Sequence, residues 1–129
     1  MGSFKSFEEM AVWLEARKVS QDIYLLTKKA EFSEDPKLRW QMRGSSGSIM
    51  DNIAEGFSRG GTKEFIQFLR IAKGSSGELI SQLHRCNDRN WISNNDFVTL
   101  CAKTQKITGM LQSLIQYLQS TTRKGPTHQ

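Results

Sequence analysis

An unbroken helical repeat between residues 65 and 86 constrains the fold of this 129-residue chain more than any other feature. Apolar and small residues recur there at alternating intervals of four and three: Phe65, Leu69, Ala72, Ser76, Leu79, Leu83 and Cys86. On an α-helix this spacing places all of them on one stripe. A long helix with one apolar stripe must bury it against other elements, so the chain has to supply partner helices.

Three further segments show helical periodicity, and they carry signals for where a helix starts. Ser6 and Glu9 form an S-x-x-E capping box before the first segment. Asp35 followed by Pro36 is the pattern of an N-cap and a first helical residue, and it predicts the start of the second helix. Ser93 or the next residue, an asparagine, is a cap for the fourth helix.

No segment alternates with the period of two that is typical of strands. The sequence therefore predicts a single all-α domain, an up-down-up-down four-helix bundle with short connections. The tail after the fourth helix is expected to be disordered. The predicted helices cover about residues 6–29, 36–58, 62–88 and 94–121, and the tail covers 122–129.

The tetrapeptide GSSG occurs twice, at residues 44–47 and 74–77, and the midpoint between the two runs is the Gly60–Gly61 turn. In antiparallel helices the runs should lie level with each other. A glycine inside a helix costs about 0.8 to 1 kcal/mol relative to alanine, so a contact must offset that cost. Close packing inside the chain and packing against a second subunit both remain open. The four glycines assigned to helix packing are Gly44, Gly47, Gly74 and Gly77.

Polar residues also interrupt the inner face of the second helix. Asn52 and Glu55 are three residues apart and share one helical face, and Arg59 is within i+4 reach of Glu55. We interpret the three as a structural polar network that fixes helix register or a subunit contact. A catalytic role would need a second acid, a nucleophile or a metal-ligand set nearby, and the sequence offers none.

The composition gives little support to an enzyme or a metalloprotein. The two histidines, His84 and His128, cannot form a catalytic triad or an HExxH site, and Cys86 and Cys101 lack CxxC spacing. The segment GFSRGGTK lacks the Lys-Ser/Thr ending of a phosphate-binding loop. We therefore expect no enzyme activity, no cofactor and no metal. Without an apolar run of about 18 residues or a signal-like N-terminus, we expect a cytoplasmic protein that does not contact membranes.

The chain is basic, with a net charge of +5 and an isoelectric point near 9.4, which favours polyanions as partners. Arginines suit phosphates, and an exposed tryptophan can stack on a base. The alternative is a solvated basic face with the tryptophan packed on a neighbouring helix. The hypothetical nucleic-acid-binding residues are Lys37, Arg39, Trp40, Arg43, Arg70 and Lys73.

Two segments, SIMDNIAEGFSRG at residues 48–60 and EFIQFLRIAKGSSGEL at 64–79, resemble the bacterial family of 23S rRNA-intervening sequence proteins. The resemblance extends from Phe7 to about Leu118. It implies a left-handed bundle that assembles into a homopentameric ring. It also implies kinship with the accessory variability protein of diversity-generating retroelements, a basic ring that binds nucleic acid and its reverse transcriptase.

Taken with the charge pattern, this predicts a non-enzymatic, homopentameric bundle that binds RNA or DNA through a basic surface. The alternative is an oligomeric scaffold that recruits a protein partner, such as a reverse transcriptase, without binding nucleic acid. Salt dependence separates the two, because phosphate contacts weaken steeply with salt.

Overall fold

The computed structural model describes residues 4–123, and within that range the chain is all-α with no strand. Short 3-10 helices at Phe7–Glu9 and Ala30–Glu34 precede the first and second long helices. The predicted all-α, four-helix fold is confirmed. The four α-helices are α1 (Ala11–Leu26), α2 (Pro36–Arg59), α3 (Thr62–Asp88) and α4 (Asn94–Arg123).

Each helix packs against the next one in the chain, and α1 closes the bundle by packing against α4. Connections as short as the two glycines between α2 and α3 make successive helices antiparallel. The stripe of α3 that the sequence predicts, from Phe65 to Cys86, is buried along its whole length. The handedness of the bundle stays a prediction.

The predicted start signals of α2 and α4 are confirmed, and a glycine ends α2. The Leu38 amide donates to Asp35 Oδ1 at 3.1 Å, so Asp35 caps α2 ahead of Pro36. Gly60 ends α2 in the left-handed conformation, at φ 88°, which a side chain would make costly. At α4, Ser93 Oγ accepts from the Asp96 amide at 3.1 Å.

The capping box predicted at Ser6 is wrong. The Ser6 side chain makes no cap hydrogen bond, and Glu9 Oε2 instead accepts from the Lys5 amide at 3.1 Å. The long helix begins only after Met10, which is extended and only 3% exposed. Burial of Met10 therefore overrides the local cap signal.

At the other end of the chain, α4 continues to Arg123, two residues into the predicted tail, and the rest of that tail lies outside the described residues.

The two GSSG runs lie nearly level in α2 and α3, because a serine of each run bonds the side chain of the residue that directly follows the other run. The Ser48 and Ser75 hydroxyls are hydrogen-bonded at 2.9 Å, and Ser45 Oγ donates to Glu78 Oε1 at 3.1 Å. The serines therefore join the two helices.

The glycines of these runs point away from the core. Nothing lies within 4 Å of the position that a Cβ would occupy at Gly44, Gly47, Gly74 or Gly77. Close packing inside the chain is therefore wrong for all four glycines. At about 100° per residue, serines that face inward leave the glycines on either side of them facing outward. Packing of these glycines against a second subunit stays a prediction.

A different glycine provides the close approach between α2 and α3. A Cβ at Gly56 would stand 2.6 Å from Phe68 Cβ and 2.9 Å from Phe65 Cδ1. Gly56 lies one turn before the end of α2, where the two helices meet at their connection. At this position only a glycine lets the aromatic residues of α3 pack directly on the α2 backbone.

Candidate nucleic-acid interface

The carboxyl end of α1 is held against α2 by an arginine. Arg39 Nε donates to the Thr27 carbonyl at 2.9 Å, and Arg39 Nη2 donates to the Lys29 carbonyl at 3.4 Å. The last carbonyls of a helix have no partner within the helix, and a positive charge near them is favourable. Arg39 is half-buried, and two of its N–H groups are occupied by these contacts.

A second arginine of α2 is positioned by the same threonine. The fully buried Thr27 hydroxyl donates to the Ile23 carbonyl at 2.7 Å and accepts from Arg43 Nε at 2.8 Å. The Arg43 guanidinium then lies 4.6 Å from the ring centroid of Tyr24 and 5.5 Å from that of Trp40. We name Tyr24, Arg43 and Trp40 the aromatic–arginine stack.

The stack is open to solvent. Trp40 is 62% exposed and Tyr24 is 44% exposed, whereas Trp13 and Trp91 are each 8% exposed. The alternative in which Trp40 packs on a neighbouring helix is therefore wrong, because the indole meets the Arg43 side chain of its own helix. Lys28 Nζ also lies 5.2 Å from the Tyr24 ring centroid, which adds a positive charge to the same surface.

The remaining predicted basic residues lie in different places. Lys37 is exposed in the first turn of α2, and Arg70 is exposed on α3. Lys73 is half-buried and donates through Nζ to Gln112 Oε1 of α4 at 2.6 Å. The level pairing of Ser48 with Ser75 places Arg70 far from Trp40, by about 20 Å along the bundle at 1.5 Å per residue. The structure thus divides the six predicted residues into an α2 group and an α3 group.

Sequence reasoning missed the contribution of α1 to this surface. Tyr24 lies in the last turn of α1, and Lys28 lies four residues later in the turn that follows the helix. A spacing of four puts two residues on one face when the helix continues through both. That spacing was the one signal in the sequence that pointed to a contribution of Tyr24 and Lys28 to this surface. Their meeting with Arg43 depends on where the chain turns between α1 and α2, which the spacing does not reveal.

Asp35, the residue that caps α2, is paired with two arginines. Arg89 Nη1 donates to Asp35 Oδ2 at 2.9 Å, and Arg85 lies 3.9 Å from the same oxygen. The Arg89 hydrogen bond, with the Leu38 amide, lowers the pKa of Asp35 below its usual value. Arg85 belongs to α3 and Arg89 follows its last residue, so the Asp35 carboxylate is paired with the carboxyl end of α3.

The residues predicted as one polar network form two separate pairs. Asn52 Nδ2 donates to the Ser48 carbonyl at 2.8 Å and to Ser48 Oγ at 2.9 Å, which supports the Ser48–Ser75 link to α3. Arg59 Nε donates to Glu55 Oε2 at 2.7 Å, within the predicted i+4 reach, and this pair is about half exposed. Only Asn52 therefore takes part in fixing the contact between α2 and α3.

Two further observations bear on the class of protein. Within residues 4–123, no group of three or more His, Cys, Asp or Glu side chains is arranged to hold a metal ion. Over the same residues, none of the helices has the length and apolar character needed to cross a membrane.

The helices and the exposed stack define an all-α bundle with a basic, aromatic surface at one end. The chain belongs to the family of 23S rRNA-intervening sequence proteins, whose model matches residues 8–113. A crystal structure of a protein of unknown function from the S23 ribosomal protein family of Bacteroides thetaiotaomicron has the same fold, with a TM-score of 0.73 and 22% identity. The alignment covers 81% of this chain and 98% of that one. No curated protein matches the chain significantly.

Proposed function

We propose that this protein is a non-enzymatic, homo-oligomeric bundle of five chains that binds nucleic acid, RNA or DNA, through its basic surface. The observation that carries the proposal is the aromatic–arginine stack, in which an exposed tryptophan and an exposed tyrosine both lie next to one arginine. Exposed rings beside cationic groups are the combination with which proteins bind nucleic-acid strands. The family name supports no assayed activity, so the proposal rests on this surface and on charge.

Oligomerisation is supported by the exposed helix glycines. Gly44, Gly74 and Gly77 are exposed, and each costs about 0.8 to 1 kcal/mol relative to alanine. A facing helix from another subunit would offset that cost, because small residues let two backbones approach closely. Ile71, 52% exposed and one turn before Gly74 on α3, adds an apolar side chain to this surface. We name these four residues the glycine face.

Assembly would also strengthen the attraction of the basic surface for polyanions. One chain has a net charge of +5, so five chains would carry about +25. In a ring, the separate α2 and α3 groups of one chain would be repeated five times, and neighbouring copies would bring cationic groups together.

The oligomer is tested by light scattering coupled to size-exclusion chromatography. Five chains of 14.7 kDa give a mass of about 74 kDa. Gly74→Leu with Gly77→Leu should lower the mass, because leucine would fill the glycine face. The matched control is Gly109→Leu, at an exposed α4 position that also has nothing within 4 Å of its Cβ position. A wild-type mass of one chain would refute the assembly.

Nucleic-acid binding is tested by fluorescence anisotropy with labelled RNA and DNA over a range of salt concentrations. We expect binding that weakens linearly on a log-log plot, with a slope set by the number of phosphates neutralised. Lys37→Ala should weaken binding and reduce the slope by about one. Arg39→Ala and Arg43→Ala are poorer probes, because these side chains also hold α1 against α2.

Lys106→Ala is the matched control for charge. It removes the same unit of charge, but Lys106 pairs with Glu15 at 3.1 Å on the α1–α4 side of the bundle. If Lys37→Ala and Lys106→Ala weakened nucleic-acid binding equally, the net charge of the protein alone would account for binding, without a particular binding surface. Failure to bind at low salt, where electrostatic attraction is strongest, would refute the function.

A second candidate function is a scaffold that recruits a protein partner, such as a reverse transcriptase. The exposed Ile71 beside Gly74 favours it, since apolar and small residues together suit a partner helix. Binding of such a partner would depend only weakly on salt and would be lost in Ile71→Asp, whereas nucleic-acid binding would depend steeply on salt and on Lys37.

A further inference from the structure

The three tryptophans of this protein divide sharply by exposure. Trp13 and Trp91 belong to the core, each 8% exposed, whereas Trp40 presents 62% of its surface to solvent from a rigid helix. An indole left in water by the fold makes no contribution to the core. It is a flat apolar surface held at a fixed position.

The side chains around Trp40 are held in position by contacts within the protein, without a ligand. Thr27 holds Arg43 through Nε at 2.8 Å, and the guanidinium lies 5.5 Å from the Trp40 centroid. Among residues 4–123, the Arg43 side chain makes no other hydrogen bond or ion pair, so the N–H groups of its two terminal nitrogens remain available for a phosphate. A ring positioned beside an available arginine loses little conformational freedom on binding.

Charge and stacking favour different forms of nucleic acid. A duplex carries the denser phosphate charge, so a purely electrostatic surface favours duplexes. Bases inside a duplex are stacked on one another, and only unpaired bases offer a free face to an aromatic ring. An exposed ring beside cationic groups therefore shifts preference toward unpaired strands.

We propose that the aromatic–arginine stack binds unpaired nucleobases, with a base on the free face of Trp40 and the adjoining phosphate on Arg43. This rests on the proposed nucleic-acid function and specifies its substrate class. The substrate is a single strand or a loop of RNA or DNA, and fully paired duplexes bind only through charge.

The test compares a labelled 20-nucleotide single strand with the duplex of the same sequence at one salt concentration. Trp40→Ala should weaken binding of the single strand about 5- to 150-fold, the range for loss of one base–aromatic stack, and should change duplex binding less than about twofold. Trp40→Phe, which keeps a ring, should restore most of the affinity. Tyr117→Ala removes another exposed aromatic residue, 50% exposed on α4, and should change neither affinity.

Tryptophan fluorescence gives an independent measurement. Because the other two tryptophans are buried, quenching of the wild-type emission by the single strand reports on Trp40, and the quenching should be lost in Trp40→Phe. Equal loss of single-strand and duplex binding in Trp40→Ala, or no loss of either, would overturn the proposal while leaving the nucleic-acid function intact. A change of oligomeric mass in Trp40→Ala would overturn it by placing Trp40 in a subunit contact. Failure of both ligands to bind wild-type protein at low salt would instead refute the function itself.

Discussion

Replacing Gly56 with alanine should destabilise the protein, although alanine is the better helix former. The new Cβ would stand 2.6 Å from Phe68 Cβ and 2.9 Å from Phe65 Cδ1, and Phe65 is only 6% exposed. Phe68 Cβ is fixed to the α3 backbone, so the two helices must move apart. Overpacking of this kind costs up to about 3 kcal/mol, and the gain in helix propensity returns about 1 kcal/mol. The expected net loss is about 2 kcal/mol.

The assay is urea unfolding followed by circular dichroism, supported by a fall in Tm of about 5 to 10 °C. Gly109→Ala is the control, because Gly109 is also a helix glycine but is exposed with nothing within 4 Å of its Cβ position. It should gain about 1 kcal/mol of stability. If Gly56→Ala gained as much stability as Gly109→Ala, the close approach of α2 and α3 at Gly56 would be refuted.

Three further perturbations follow from single side chains. Thr27→Val should cost about 1 to 2 kcal/mol in urea unfolding, because the buried hydroxyl both donates to and accepts from named partners; an unchanged midpoint would contradict this. The pKa of Asp35 is lowered from its usual 3.8, so its carboxylate stabilises the fold above about pH 4 and loses that effect as the pH falls further. Asp35→Asn should therefore be less stable than wild type at neutral pH, with a gap that narrows in acid; a constant gap would be evidence against the ion pair. Burial raises the pKa of Cys86 to about 11, so iodoacetamide should modify the partly exposed Cys101 well before Cys86, as mass spectrometry of the folded protein would show.

Helix positions were largely predictable because they depend on features that the sequence carries locally. Asp35 and Pro36 define the start of α2, and the 4-3 repeat carries α3 from the turn to Cys86. The start of α1 was not predictable in the same way. The capping signal at Ser6 is local, whereas the burial of Met10 is a property of the assembled bundle.

The residue types of the candidate site were predictable from the sequence, but the contacts between these residues were not. The sequence indicates that Arg39 and Arg43 share a face of α2, and both side chains do point toward α1. Their partner, Thr27, lies 12 and 16 residues away, beyond a 3-10 segment whose path is set by burial of Phe32. No local pattern specifies that path, so the sequence does not reveal that Arg39 and Arg43 also hold the carboxyl end of α1.

The GSSG runs show how one tetrapeptide acquires two roles from its position on a helix. At about 100° per residue, its two central serines span the inner side of the helix and its two glycines fall on the outer side. The same orientation holds in α2 and in α3, since Ser45, Ser46 and Ser76 are all buried while Gly44 and Gly74 are exposed. Within one chain the serines supply the contacts between helices, and the glycines only lower stability. Their cost is therefore an argument for a surface that is completed by another molecule.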